Sequence, residues 1–254
     1  LSASSTRRTA SGGRVAAFFD VDGTLLTVQS GTLYIGYLRR RGLMSRADQA
    51  RIYWAFLTYR LGFLNMRRLV DVTSRWLSER EEREVAEHCL DWYRTEVSNY
   101  FRPSMLSLVE EHQAAGHVVA LLTGGTHYLN DHIAADLGIE HVIASELEVV
   151  DGRFTGKPIS PLCYGKGKLV LAERFATAHG IDLTGSYYYA DSITDMPVLD
   201  RVGHPCAVHP DPWLRREVQK RGWRLVATGE GPRSLAPAVR SAAQTGAVSR
   251  SAVS

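Results

Sequence analysis

The chain has 254 residues, 44% of them hydrophobic and 22% charged, with a formal net charge of +3. That supports a globular fold with one large core, or a core plus a small second unit. The basic residues are scattered (Arg39–Arg41, Arg67–Arg68, Arg215–Arg216) rather than gathered into a stripe, which argues against a nucleic-acid partner.

In chain order, residues 1–13 are Ser- and Arg-rich, lack acids and have no amphipathic face, so a disordered leader is expected there. "RVAAFF" (Arg14–Phe19) is a continuous apolar run ending at Asp20, the pattern of a parallel strand buried on both faces. From Thr27 to Arg102 the periodicity is helical. Helices are predicted at Thr32–Arg41, Arg46–Leu61, Met66–Leu77 and Glu81–Tyr100, and residues 27–102 are read as a helical cap inserted over one end of a sheet. Within it, "IYWAFLTYRLGFL" (Ile52–Leu64) is strongly aromatic. It is shorter than the roughly 20 residues that cross a bilayer and holds Arg60, so no stable membrane insertion is expected. Packing inside the cap or a homodimer contact is the expected use of this run, with a greasy wall for an apolar leaving group as the alternative.

More short apolar runs follow: "HVVALLT" ending at Thr123, "HVIAS" (His141–Ser145), "SYYYA" ending before Asp191, "HPCAV" ending at Val208 and "WRLVA" (Trp223–Ala227). Helical patterns lie between them at Pro103–Ala115, Tyr128–Leu137, Lys168–Ala178, Met196–Val202 and Pro212–Arg221. The alternation predicts an α/β fold, a doubly wound, Rossmann-like parallel sheet built from residues 14–26 and 103–245. "LEVVDGRFTG" reads as a β-hairpin turning at Asp151-Gly152. Residues 246–254 are expected to form a disordered tail. Cys89, Cys163 and Cys206 have neither a disulfide framework nor metal-ligand spacing, so reduced thiols in a cytoplasmic protein are expected.

Two carboxylates, Asp20 and Asp22, sit two positions apart in an apolar stretch, where desolvation and mutual repulsion penalise both unless something positive compensates. In a doubly wound sheet, ligands bind outside the carboxyl ends of the strands. The strand ends here carry Asp20 and Asp22, then Thr123-Gly124-Gly125, then Asp191 and Asp195. Asp20, Asp22 and Asp191 suit Mg²⁺, which takes few protein carboxylates and leaves room for a substrate phosphate. Thr123 and the amides after it can donate to that phosphate, and a lysine would complete the charge balance. The histidines show no ligand spacing and are read as surface or packing residues. Asp211 reads as a helix N-terminal residue.

"DVDGT", "LLTGG", a lysine and "DSITD" resemble the four motifs of the haloacid dehalogenase-like phosphatases. Their order and spacing resemble subfamily IB, the phosphoserine-phosphatase-like branch, with a helical cap after the first motif. The resemblance spans Arg14 to Ala227. It implies that Asp20 is a nucleophile forming an aspartyl-phosphate and that Asp22 is the general acid and then the base. It implies Mg²⁺ on Asp20, the Asp22 main-chain carbonyl and Asp191, with Asp195 orienting that site from behind. Thr123 and Gly124 would bind phosphoryl oxygens. Lys166, Lys168 and Lys157 are all near the third motif; a gapless register back from Asp191 selects Lys168, with Lys166 the alternative. The same register puts Thr194 where relatives often have a phosphate-contacting asparagine.

The resemblance also marks two departures. Phosphoserine phosphatases carry a glutamate nine residues after the nucleophile, which reads the substrate's amine; Gln29 stands there. Their cap arginine aligns with Thr73, with Arg75 and Arg67–Arg68 nearby. A neutral Gln29 offers an ammonium no charge-assisted bond, which speaks against phosphoserine itself. The expected activity is Mg²⁺-dependent hydrolysis of a small-molecule phosphomonoester. Phosphoserine phosphatase proper, a phosphotransferase and a receiver-like switch phosphorylated on Asp20 are the alternatives.

Overall fold

The computed structural model describes residues 12–60, 63, 66–227, 229 and 231–235. Residues 1–11 of the expected leader, the whole expected tail and part of the aromatic run lie outside them. Six strands form one parallel sheet: β1 (Ala16–Phe19), β2 (Val118–Thr126), β3 (His141–Ser145), β6 (Tyr187–Ala190), β7 (His204–Val208) and β8 (Arg224–Val226), in the order β3-β2-β1-β6-β7-β8. From β1 the chain works outward to β3, then returns to β6 on the other side of β1. That reversal leaves a crevice at the carboxyl ends of the central strands, where such sheets bind ligands.

Burial on both faces explains why the strands read as unbroken apolar runs. Along β1, Ala17 and Phe19 join a cluster with Leu121, Tyr189 and Ile133, while Ala16 and Phe18 join the opposite cluster with Leu122, Tyr188 and Phe175. The first face is covered by α5 (Pro103–Ala114) and α6 (His127–Asp136), the second by α7 (Lys166–His179), α8 (Met196–Leu199) and α9 (Pro212–Arg221). β2 runs on to Thr126, past the expected Thr123, with an irregular register against β3 after Leu122.

Four helices separate β1 from α5: α1 (Ser30–Arg40), α2 (Arg46–Arg60), α3 (Met66–Leu77) and α4 (Glu82–Thr95). The last is shorter than the predicted Glu81–Tyr100, because a separate tight turn covers Val97–Asn99. The chain enters and leaves this segment side by side. Thr27 N donates to Tyr100 O at 2.8 Å and Arg102 N to Leu25 O at 2.9 Å. The apolar cluster on the Phe19 face continues into the helices through Ile35, Leu38, Ile52 and Trp92.

The hairpin, β4 (Leu147–Val150) and β5 (Arg153–Pro158), turns at Asp151 (φ 50°) and Gly152 (φ 74°), the left-handed pair that a two-residue turn demands. It also supports the helical segment. Glu79 N donates to Phe154 O, Phe154 N to Arg80 O and Glu82 N to Gly152 O, at 2.9, 3.0 and 2.9 Å. Gly156 belongs to this seam: a Cβ there would lie 3.1 Å from Ser78 Cβ and 3.3 Å from Arg75 Cα.

Internal packing accounts for only part of the aromatic run. Ile52 and Ala55 are buried and Phe56 is half-buried against the cluster, but Tyr53, Trp54, Leu57 and Phe63 are exposed. No helix among the described residues is long and apolar enough to cross a membrane.

Candidate active site

β1 ends at Phe19, so Asp20 is the first residue beyond the sheet, its N–H still tied to Tyr189 O at 3.0 Å. Its carboxylate is buried and accepts from Lys168 Nζ at 3.0 Å. Lys168 lies in the first turn of α7 and is itself 3% exposed. Its ammonium is shared with Asp195 Oδ1 at 2.7 Å and also donates to the Tyr188 hydroxyl at 2.9 Å. Lys166, two residues earlier, faces solvent. The geometry therefore turns Lys168 toward Asp20, and Lys157 lies on β5 as its hairpin assignment requires.

Ligand oxygens of Asp20, Asp191 and Asp195 all fall within 4.8 Å of one another. Three carboxylates against one ammonium leave a formal charge of −2. Burial first, then the neighbouring carboxylates, pushes Asp20 up to about 7 and Asp191 up to about 8 despite Lys168. A buried all-oxygen cluster short of positive charge fits a hard divalent cation, which would let these carboxyls ionise.

Asp22 is held differently. The chain turns sharply at Gly23 (φ 75°), and Asp22 accepts from the N–H and Oγ of Ser30 at 2.8 and 3.0 Å. Ser30 opens α1, so this carboxyl sits at a helix N-terminus. Burial still raises its proton affinity, with the Ser30 bonds opposing that rise. Gly23 is required by space as well as by φ: a Cβ would lie 2.1 Å from Asp191 Oδ2 and 3.2 Å from Gln29 Nε2. That contact also puts Gln29 at the rim of the carboxylate cluster.

Thr123 is buried and its Oγ1 accepts from Gly125 N at 3.1 Å, within the irregular carboxyl end of β2. Gly124 packs toward Cys163 O, 3.6 Å from where a Cβ would stand. Thr194 lies in the tight turn that carries Asp195, its hydroxyl 3.0 Å from Ser192 Oγ. Thr73 is occupied within its own helix, donating to Leu69 O and Val70 O.

Four supporting residues were not picked out from the sequence in these roles. Ser30 holds Asp22, and its only sequence signal is its place before a helical pattern. Tyr188 caps Lys168 from inside an apolar strand, where nothing marks it. Arg102 donates to Gly23 O at 3.2 Å and faces the Asp191 charge; its buried Nε has no protein partner. Asp211 caps α9 as expected, but its Oδ2 also accepts from Ile193 N at 2.7 Å and its N–H donates to Asp191 O at 2.8 Å.

The family model described as haloacid dehalogenase-like hydrolase matches residues 17–200, from within β1 to just past α8. The chain belongs to that family. A probable phosphatase of Mycobacterium tuberculosis is 29% identical over 96% of this chain and 88% of its own length. A histidinol-phosphatase of Neisseria meningitidis is 29% identical over 83% and 97% of the two chains, and a phosphoserine phosphatase of M. tuberculosis 30% identical over 83% and 70%. A crystal structure of a protein of unknown function from Bordetella pertussis superposes with a TM-score of 0.79 at 29% identity, over 85% of this chain and 99% of that one. Solved phosphoserine phosphatases share the fold, one of them with a TM-score of 0.60 at 20% identity. This hydrolase is thus phosphoserine-phosphatase-like in architecture.

Proposed function

We propose that the protein is a Mg²⁺-dependent phosphomonoesterase acting on a small-molecule phosphate through an aspartyl-phosphate on Asp20. The observation that carries this reading is the buried Asp20–Lys168–Asp195 array beside Asp191, with the separately held Asp22 two residues from Asp20.

An Asp20 carboxylate oxygen attacks phosphorus as the bond from phosphorus to the ester oxygen breaks. Asp22 gives its proton to the departing oxygen; burial raises its proton affinity, and its hydrogen bonds go to Ser30 rather than to Lys168, which suits it to that role. Asp22, now a carboxylate, takes a proton from water, whose oxygen attacks phosphorus and frees Asp20 and inorganic phosphate. Lys168, Thr123, Gly124 and Thr194 hold the transferring phosphoryl group, and Asp195 fixes the Lys168 ammonium. Asp20, Asp191 and the Asp22 carbonyl would hold a divalent cation, which would supply charge neutralisation for the phosphoryl group and for the Asp20 carboxylate.

Phosphoserine is not the favoured substrate. Gln29 carries no charge to meet an ammonium, and the Thr73 hydroxyl is tied to its own helix. The test is hydrolysis of 4-nitrophenyl phosphate by the purified chain. Turnover with Mg²⁺, its loss in excess EDTA and its loss in Asp20→Asn are expected. Full activity in Asp20→Asn would refute the assignment.

A further inference from the structure

Beside the catalytic floor lies a cleft of about 470 Å³, a size that holds a small-molecule group. Arg67 and Asp71 of α3, one helical turn apart, line it together with Lys157 of β5, Tyr164 just before α7 and Gly167 in the first turn of α7. The cleft borders the proposed phosphate site through its own wall. Gly167 precedes Lys168, which pairs with Asp20 at 3.0 Å, and Tyr164 follows Cys163, whose carbonyl packs toward Gly124. Arg67 and Lys157 are exposed and enter no ion pair among the described residues. Two such cations against one carboxylate give this part of the cleft a formal charge of +1.

Two exposed cations without an ion pair among the described residues, brought to one cleft by the packed elements α3 and β5 next to the proposed phosphoryl site, are arranged to bind a second anion. We infer that this cleft binds an anionic group on the leaving-group side of the substrate, a carboxylate or a second phosphate, through Arg67 and Lys157. Arg67 offers a planar fork of donors and Lys157 a point charge, so the pair accepts either anion. Asp71 opposes that charge and limits the affinity. This rests on the phosphomonoesterase reading and deepens it to a substrate class: phosphomonoesters whose alcohol carries its own negative charge.

The experiment compares matched substrates in the full chain with Mg²⁺. 3-Phosphoglycerate and glycerol 3-phosphate differ by a carboxylate; fructose 1,6-bisphosphate and fructose 6-phosphate differ by a phosphate. At least one charged member is expected to have a kcat/KM about tenfold or more above its partner, chiefly through a lower KM, and the pair that does so identifies the anion. Arg67→Gln and Lys157→Gln should each cut that ratio about tenfold, the worth of one hydrogen bond to a charged group. Asp71→Asn should raise it. Equal kcat/KM within both pairs, or ratios untouched in both glutamine variants, would overturn the inference. Hydrolysis of 4-nitrophenyl phosphate in the same preparation separates that outcome from failure of the phosphatase reading, which would remove turnover of every ester.

Discussion

On the floor of the candidate site, Lys168 is buried and shared by Asp20, Asp195 and Tyr188; on the cleft wall, Arg67 and Lys157 are exposed and pair with no carboxylate among the described residues. The floor is electrostatically costly, since burial raises Asp20 and Asp191 and leaves negative charge over. It persists because the sheet, α7 and the Asp211 brace hold each group in place. The wall costs little to keep, because its charges stay hydrated. On the proposed reading, chemistry common to many phosphate esters falls to the buried floor and selection among them to the exposed wall.

The largest effect that sharpens this contrast is at Asp20. Asp20→Asn should lower kcat by roughly 10⁵-fold or more, the scale seen when a covalent nucleophile is lost. Its thermal midpoint should hold or rise, because one of three crowded carboxylates is gone. A large fall in the midpoint would show that the floor is a stabilising network instead. Lys168→Met is the opposite case. It should abolish most turnover and also cost about 3–5 kcal/mol in denaturant unfolding, because buried carboxylates lose their counter-charge. Asp22→Asn should lower kcat by about 10²–10⁴-fold, the range for a positioned acid–base group, with little change in stability. If it loses under tenfold on a phosphate with a poor leaving group, Asp22 is not the proton donor.

The sequence exposed the floor far better than the wall or the braces. A strand buried on both faces must be continuously apolar, so the first polar residue after each run, Asp20, Thr123 or Asp191, stands out without any knowledge of contacts. The Arg102–Gly23 bond joins residues 79 apart, and Lys168 reaches Tyr188 from another element. Such contacts leave no local pattern. The seam between α3 and the hairpin was hidden for the same reason, because Gly156 resembles any turn glycine until Arg75 and Ser78 are packed against it. The aromatic run is divided between inward Ile52 and Ala55 and outward Trp54 and Leu57, a split that its periodicity did not reveal.

The smallest effect lies away from both regions. His112 is packed against Tyr187, Tyr189 and His117, with His204 and Arg224 nearby. Burial, then these neighbouring cations, hold its proton affinity down to about 4 against an ordinary 6.5. The unfolded chain binds this proton below about 6.5 and the folded chain only near 4, so the stability it contributes is present above 6.5 and lost as pH falls toward 4. In His112→Gln, the thermal midpoint should decline less steeply across that window. An unchanged slope would show that other groups set the acid limit.

The most direct test of the central claim is to quench a turning-over reaction in acid, using labelled phosphomonoester and Mg²⁺, and to map the label by mass spectrometry. The expected result is a phosphoryl group on the peptide containing Asp20, discharged by a chase of unlabelled substrate and absent in Asp20→Asn. Sustained turnover with no label on that peptide, or with label on another residue, would contradict the assignment of Asp20 as nucleophile.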